Sequence, residues 1–110
     1  MLSECKKALR ITVDDFDSEL ALLMQAGAKD LEIAGVVLPG ELSFSTDADT
    51  GAVTDESTLE DALVQRAIFT YCAANFGNPP NADRLRDSYD LQRVQLMHAT
   101  GYTEFGGDQA

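Results

Sequence analysis

Between Leu59 and Phe76 the chain is apolar on most sides, with Leu63, Val64, Ala67, Ile68, Phe69, Tyr71, Cys72, Ala73 and Ala74 in close succession, and Gly77-Asn78-Pro79-Pro80 ends the stretch. A helix that is apolar nearly all round has to be covered nearly all round. Ser57, with Glu60 three residues later, has the spacing of a capping box and places the helix start there. A chain of 110 residues is one domain, or part of one, on ordinary size priors. Folding at that size removes roughly 60% to about 70% of the unfolded surface from water. The expectation is therefore a central helix wrapped by other helices, or by other helices and a neighbouring subunit.

The wrapping helices are visible as period-3.6 patterns. A short one runs from Ser3, its expected N-cap, to about Arg10, with Leu2, Cys5, Ala8 and Leu9 on one face. A longer one runs from about Asp15 to Ala34. Asp14, Asp15, Asp17 and Glu19 crowd its start, where the helix dipole favours negative charge. Phe16, Leu20, Leu23, Gly27, Leu31 and Ala34 form its stripe, and Gly35 stops it. Gly27 inside the stripe costs about 1 kcal/mol relative to Ala, which a close approach of another helix would explain. The last helix is capped by Asn81 and runs to about Thr100 and Gly101. Leu85, Tyr89, Leu96 and Ala99 face inward, while Arg84, Arg86, Asp87, Asp90 and Arg93 face water.

Residues 36–56 have another rhythm. Val36, Val37 and Leu38 lead to Pro39-Gly40, and then Leu42, Phe44 and Val53 alternate with polar residues around a tip at Thr46–Gly51, the pattern of a short β-hairpin. The fold class is accordingly mainly α, a compact bundle of about four helices with a small β-hairpin inserted between the second and third long segments. Residues 1–101 form the domain, 36–56 the hairpin or loop insertion, and 102–110 a mobile tail carrying two aromatics, Tyr102 and Phe105.

Net charge is −11, from 19 acidic and 8 basic residues. A nucleic-acid reader needs Lys and Arg to displace counterions from phosphates, so a DNA-reading surface is excluded. The acidity is also local: nine carboxylates lie between Asp30 and Asp61, and no basic residue follows Asp30 until Arg66.

Catalytic chemistry has no anchor. The single histidine, His98, sits near a helix C-terminus, where a dipole-stabilised surface group is the ordinary reading. No nucleophile elbow, phosphate-binding loop or metal-ligand spacing is present, so no catalytic residue, cofactor or metal is expected. Asp47 and Asp49 open like a calcium loop, but the sixth position is Ala52 and the twelfth Thr58, where Gly and Glu are needed. Cys5 and Cys72, with no CxxC, read as free thiols serving as small apolar groups in a reducing cytoplasm. No run of about 18 apolar residues exists to span a membrane, and no signal peptide is evident.

Several segments together resemble one family. Leu9 with Asp14-Asp15-Phe16-Asp17-Ser18-Glu19-Leu20, and Ala26-Gly27-Ala28-Lys29-Asp30-Leu31, resemble the N-terminal half of the phage head-to-tail connector, or head-completion adaptor, proteins. Leu63-Val64-Gln65-Arg66-Ala67-Ile68 through Tyr71 to Ala74-Asn75-Phe76-Gly77 is similar to their central helix. Leu85, Ser88-Tyr89-Asp90 and the stretch from Gln95-Leu96 to Thr100-Gly101-Tyr102 are similar to their last helix and its exit. The resemblance covers residues 2–35 and 57–102. Residues 36–56 look longer than the matching loop in compact members.

The resemblance implies a structural virion protein of a long-tailed phage or prophage. It would be a homo-oligomeric ring at the head–tail junction, assembled in the host cytoplasm, that joins the portal protein to the next connector or tail protein. DNA would pass through such a ring unread, and carboxylates lining the channel would keep phosphates from sticking. Glu41, Asp47, Asp49 and Asp55 are the candidate lining. Rings need heterologous contacts, for which Phe44, Val53, Phe69 and Phe76 are the candidates, and Tyr102 and Phe105 are candidates for docking on the portal. The rival reading is a small acidic DNA mimic that occupies a basic partner. Such a mimic spreads its carboxylates over one long face, whereas here they cluster at the start of the second helix and in residues 41–61.

Overall fold

In the computed structural model, which describes residues 1–77 and 79–99, the elements follow in the order α1 (Leu2–Ala8), α2 (Asp17–Ile33), β1 (Phe44–Thr46), β2 (Val53–Asp55), α3 (Ala62–Asn75) and α4 (Ala82–His98). The expected mainly α architecture, with a two-stranded hairpin between the second and third long segments, is the one observed.

α3 is the centre, packed on α2 at one side and α4 at the other. Its Val64, Ala67, Ile68, Cys72 and Ala74 are buried, but Leu63 is 48% exposed, so the helix is covered on part of its circumference rather than nearly all round. The helix also begins later than the capping-box pattern suggests. Asp61 is the N-cap, and its Oδ1 accepts the N–H groups of Leu63 and Val64 at 3.0 and 3.1 Å. Ser57 is withdrawn for a different bond: its Oγ accepts the Ser43 N–H at 3.0 Å. Between the two, Leu59 turns into the core at 2% exposure, and that anchor keeps the chain from entering the helix earlier.

α2 buries Leu20, Ala21, Met24, Gly27, Ala28 and Leu31. The expected close approach at Gly27 is real, since a Cβ there would meet the Tyr71 ring at 3.1 Å. Phe16 departs from the expected stripe. It is the N-cap, 42% exposed, and stands edge-on to Phe76 with ring centroids 5.3 Å apart. Leu23 and Ala34 are only half-buried.

α1 is capped by Met1 without a side-chain bond, and Ser3 is an exposed helical residue rather than the cap. The helix closes two residues before Arg10, which takes a left-handed φ of 61°. The Ile11 N–H reaches the Lys6 carbonyl at 2.8 Å, and the Arg10 N–H reaches the Lys7 carbonyl at 3.1 Å. Paired bonds of this kind around a left-handed residue are a Schellman-type closure. Lys6 then ties α1 to the start of α2 through Asp14 and Asp17, at 2.6 and 3.0 Å. Cys5 and Cys72 are free and fully buried; the Cys5 thiol beside it and burial push the Cys72 thiol up.

The hairpin pairs Phe44 with Asp55, Ser45 with Thr54 and Thr46 with Val53. Its base is extended by backbone bonds from Glu56 to Ser43 and from Thr58 to Glu41, both 2.8 Å. At the tip, the Asp47 carboxylate accepts the N–H groups of Asp49 and Thr50 at 2.7 and 3.1 Å, which hold its carboxyl below the usual carboxylate range. The Asp47 carboxylate is thus spent on folding its own turn.

In α4, Tyr89 and Leu96 are buried and Leu85 is half-buried, while the Asn81 side chain makes no cap bond. Arg93 is not simply in water. Its guanidinium pairs with Asp30 of α2 at 3.1 Å and lies 5.7 Å from the Tyr89 ring centroid. That separation is within reach of a cation–π attraction. The Tyr89 hydroxyl donates to the same Asp30 Oδ2, and burial together with that carboxylate pushes the phenol up. Tyr89→Phe, which leaves Asp30 to Arg93 alone, is expected to cost about 1 kcal/mol in urea unfolding. Arg84→Ala, an exposed position outside this network, should fall within about 0.5 kcal/mol of the parent.

Candidate assembly surfaces

The residues that could meet other proteins are distributed over several faces. Phe44 and Val53 are half-buried on the inner side of the hairpin and pack on the core. Phe69 is half-buried in a groove beside α3, and Phe76, also half-buried, covers the start of α2. Of these four, Phe44 and Val53 come together; Phe69 and Phe76 stand apart from them and from each other along α3. Tyr102 and Phe105 lie outside the described residues.

Of the four acidic candidates, Glu41, Asp47 and Asp49 are exposed on the hairpin. Asp55 is not free to line anything. Its Oδ2 accepts the Leu2 N–H at 2.8 Å and the Met1 ammonium, and its Oδ1 accepts the Ser57 N–H at 3.0 Å. Burial pushes this carboxyl up, but the ammonium and the two N–H groups outweigh it and hold the carboxyl well below the usual range. Because the folded value is depressed, the stabilisation is complete above the unfolded pKa of about 3.9 and fades as the pH falls through the folded value. Asp55→Asn is expected to cost about 1 kcal/mol at pH 7 after screening by water, with the gap to the parent narrowing as the pH falls from about 4 through the depressed folded value. Urea midpoints measured across that range check it.

The surface signal that periodicity missed is apolar. Leu22 (67% exposed) and Ile33 (77%) stand on the outer side of α2, and Leu91 (68%) and Val94 (44%) on the outer side of α4. All four are apolar residues off the buried stripes of their helices, a signal that was available from the spacing. Two separate helices thus each carry apolar side chains into solvent, which is what a heterologous contact requires of its two unlike faces.

Among the described residues, no three of His, Cys, Asp and Glu gather as a metal-binding set, and His98 is exposed at the end of α4. No helix among them is long and apolar enough to cross a membrane.

No curated protein and no solved structure matches the chain. A family model described as phage connector protein matches residues 1–103, a span that takes in all four helices and both strands. The segments singled out by resemblance, 2–35 and 57–102, fall within that span, and the match over nearly the whole chain shows that it belongs to the phage connector protein family, a structural family of phage assembly.

Proposed function

We propose that the chain is a ring-forming adaptor at the head–tail junction of the virion, joining the portal to the tail or to the next connector and letting DNA pass without sequence readout. The family match over residues 1–103 carries this reading. Two further features support it. Exposed apolar groups on α2 and α4 offer unlike faces for neighbouring subunits, with Phe44, Val53, Phe69 and Phe76 bracing the surfaces around them. Glu41, Asp47 and Asp49 project from a hairpin whose fold is held by its own backbone. They are therefore available to line a channel and repel phosphates. In this reading subunits assemble in the host cytoplasm, and Tyr102 and Phe105 dock on the portal.

The test is the mass of the purified protein by light scattering from micromolar to near-millimolar concentration, with and without the portal. A closed species of defined high order, alone or on the portal, is the expected result. A monomer at every concentration that also ignores the portal overturns the reading and favours the DNA-mimic alternative.

A further inference from the structure

Of the eight basic side chains, Lys6, Lys29, Arg86 and Arg93 are paired with carboxylates. The other four, Lys7, Arg10, Arg66 and Arg84, are exposed and form no ion pair with a described residue. They gather at one place. A groove of about 350 Å³ lies between α1 and α3, with Leu85 of α4 at its edge. Arg66 lines it. Lys7 and Arg10 flank Ala8 and Leu9 in the chain, and Arg84 precedes Leu85, all three of which line it as well. Phe69 and Ala73 complete a largely apolar floor. In a chain of net charge −11, this groove reverses the sign of the rest of the surface. An acidic segment that also carries apolar groups is its electrostatic complement.

The chain exposes such a segment itself. Val13-Asp14-Asp15-Phe16 lies between α1 and α2, with Val13 47% and Phe16 42% exposed. Two carboxylates thus stand between two apolar groups. The segment is already shaped: the Asp14 carbonyl accepts the Asp17 N–H at 3.2 Å, Lys6 holds the Asp14 carboxylate, and Phe16 leans on Phe76. It lines no part of its own subunit's groove, and docking it elsewhere would not incur the cost of ordering a loose loop. Asp15 is exposed and forms no ion pair with a described residue. We propose that the α1–α3 groove receives residues 13–16 of a second copy of this chain, with the apolar groups on the floor around Phe69 and Asp15 beside Arg66. The inference rests on the reading of the chain as a homo-oligomer and names the two unlike surfaces through which its copies meet. DNA is a poor occupant, since a phosphate backbone has no apolar anchors and 19 carboxylates surround the four cations. A four-residue segment buries less than the about 1,200 Å² of a stable pair. One such contact is therefore weak, and ring closure, in which each subunit makes it twice, strengthens it.

Two full-length charge reversals test this, Asp15→Lys and Arg66→Glu. Both positions are exposed, so each variant should keep the parent's circular dichroism. Mass is read by light scattering, alone and on the portal. Either variant by itself sets like charges against each other and should assemble roughly tenfold more weakly than the parent. An equimolar mixture of the two restores opposite charges between unlike variants and should recover most of that loss, which a misfolded variant could not do. Assembly indifferent to both reversals overturns the inference and leaves the ring reading standing. Weakening that the mixture fails to relieve also overturns it, and assigns the groove to another partner. A parent that is monomeric alone and on the portal overturns both readings.

Discussion

Gly40→Ala is expected to lower the unfolding free energy by about 3–5 kcal/mol, although it adds a single methyl group. Two independent costs meet at this position. The backbone has φ +146°, a region that L side chains rarely adopt. Occupying it costs a non-glycine residue about 1–3 kcal/mol. A Cβ there would also lie 2.7 Å from the Leu59 Cα and 2.9 Å from the Leu59 N and the Thr58 O. Those are backbone atoms, held by Thr58–Glu41 and Leu59–Glu41 bonds of 2.8 and 3.2 Å, so they cannot swing aside as a flexible side chain would. Relieving the clash means lifting Leu59 from the core, and overpacking of this kind adds about 1–3 kcal/mol. Gly51→Ala separates the two costs. Gly51 also has a positive φ, +75°, but a Cβ there meets nothing within 4 Å. Only the conformational cost, about 1 to about 2 kcal/mol, then applies. Equal urea midpoints for the two variants would show that the Gly40–Leu59 contact carries no steric constraint.

Ile68→Ala should be comparably severe, at about 3–4 kcal/mol. Ile68 is fully buried in the middle of α3, between the helix's contacts with α2 and α4. Removing its outer atoms forfeits their transfer energy and leaves a cavity that neighbouring helices close only in part. With total stabilities of about 5–15 kcal/mol for domains of ordinary size, such a loss brings the protein near its unfolding threshold. Leu63, earlier in the same helix, is 48% exposed. Leu63→Ala should therefore stay under about 1 kcal/mol. A denaturant series that ranked Leu63 above Ile68 would overturn this assignment of the core.

The contrast within α3 also shows how much of the molecule could be read along the chain. Periodicity located all four helices and the hairpin, because each element's inward residues recur at the element's own period, as Leu20, Gly27 and Leu31 do in α2. Caps were less legible. Ser57 and Asp61 are both competent to cap α3, and the choice between them depends on Leu59 entering the core and on Ser57 bonding Ser43 across the hairpin base. Neither fact is local. Least legible were the pairs far apart in sequence: Asp30 with Tyr89 and Arg93, and Asp55 with the N-terminus, are 54–63 residues apart and leave no spacing to detect. The candidate surfaces divide the same way. Exposure of Glu41, Asp47 and Asp49 follows from a polar hairpin tip, whereas the withdrawal of Asp55, at the register position opposite Phe44, is a product of tertiary contact.

The Asp55 bond bears on the order in which this molecule comes apart. α1 has only seven residues, well short of the length at which a helix persists alone in water. Besides Leu2, which is buried in the core, it is retained at three places: Asp55 at its start, Cys5 against Cys72 at its middle, and Lys6 between Asp14 and Asp17 near its end. Two of these are polar and reach the surface. α1 is therefore the segment with the lowest free energy of detachment, a local foldon whose amides exchange with solvent while those of α3 remain protected. Its opening removes Ala8 from the wall of the groove beside α3 and bares the Cys72 thiol, so hydrogen exchange along α1 measures how often an otherwise closed core is accessible from that side.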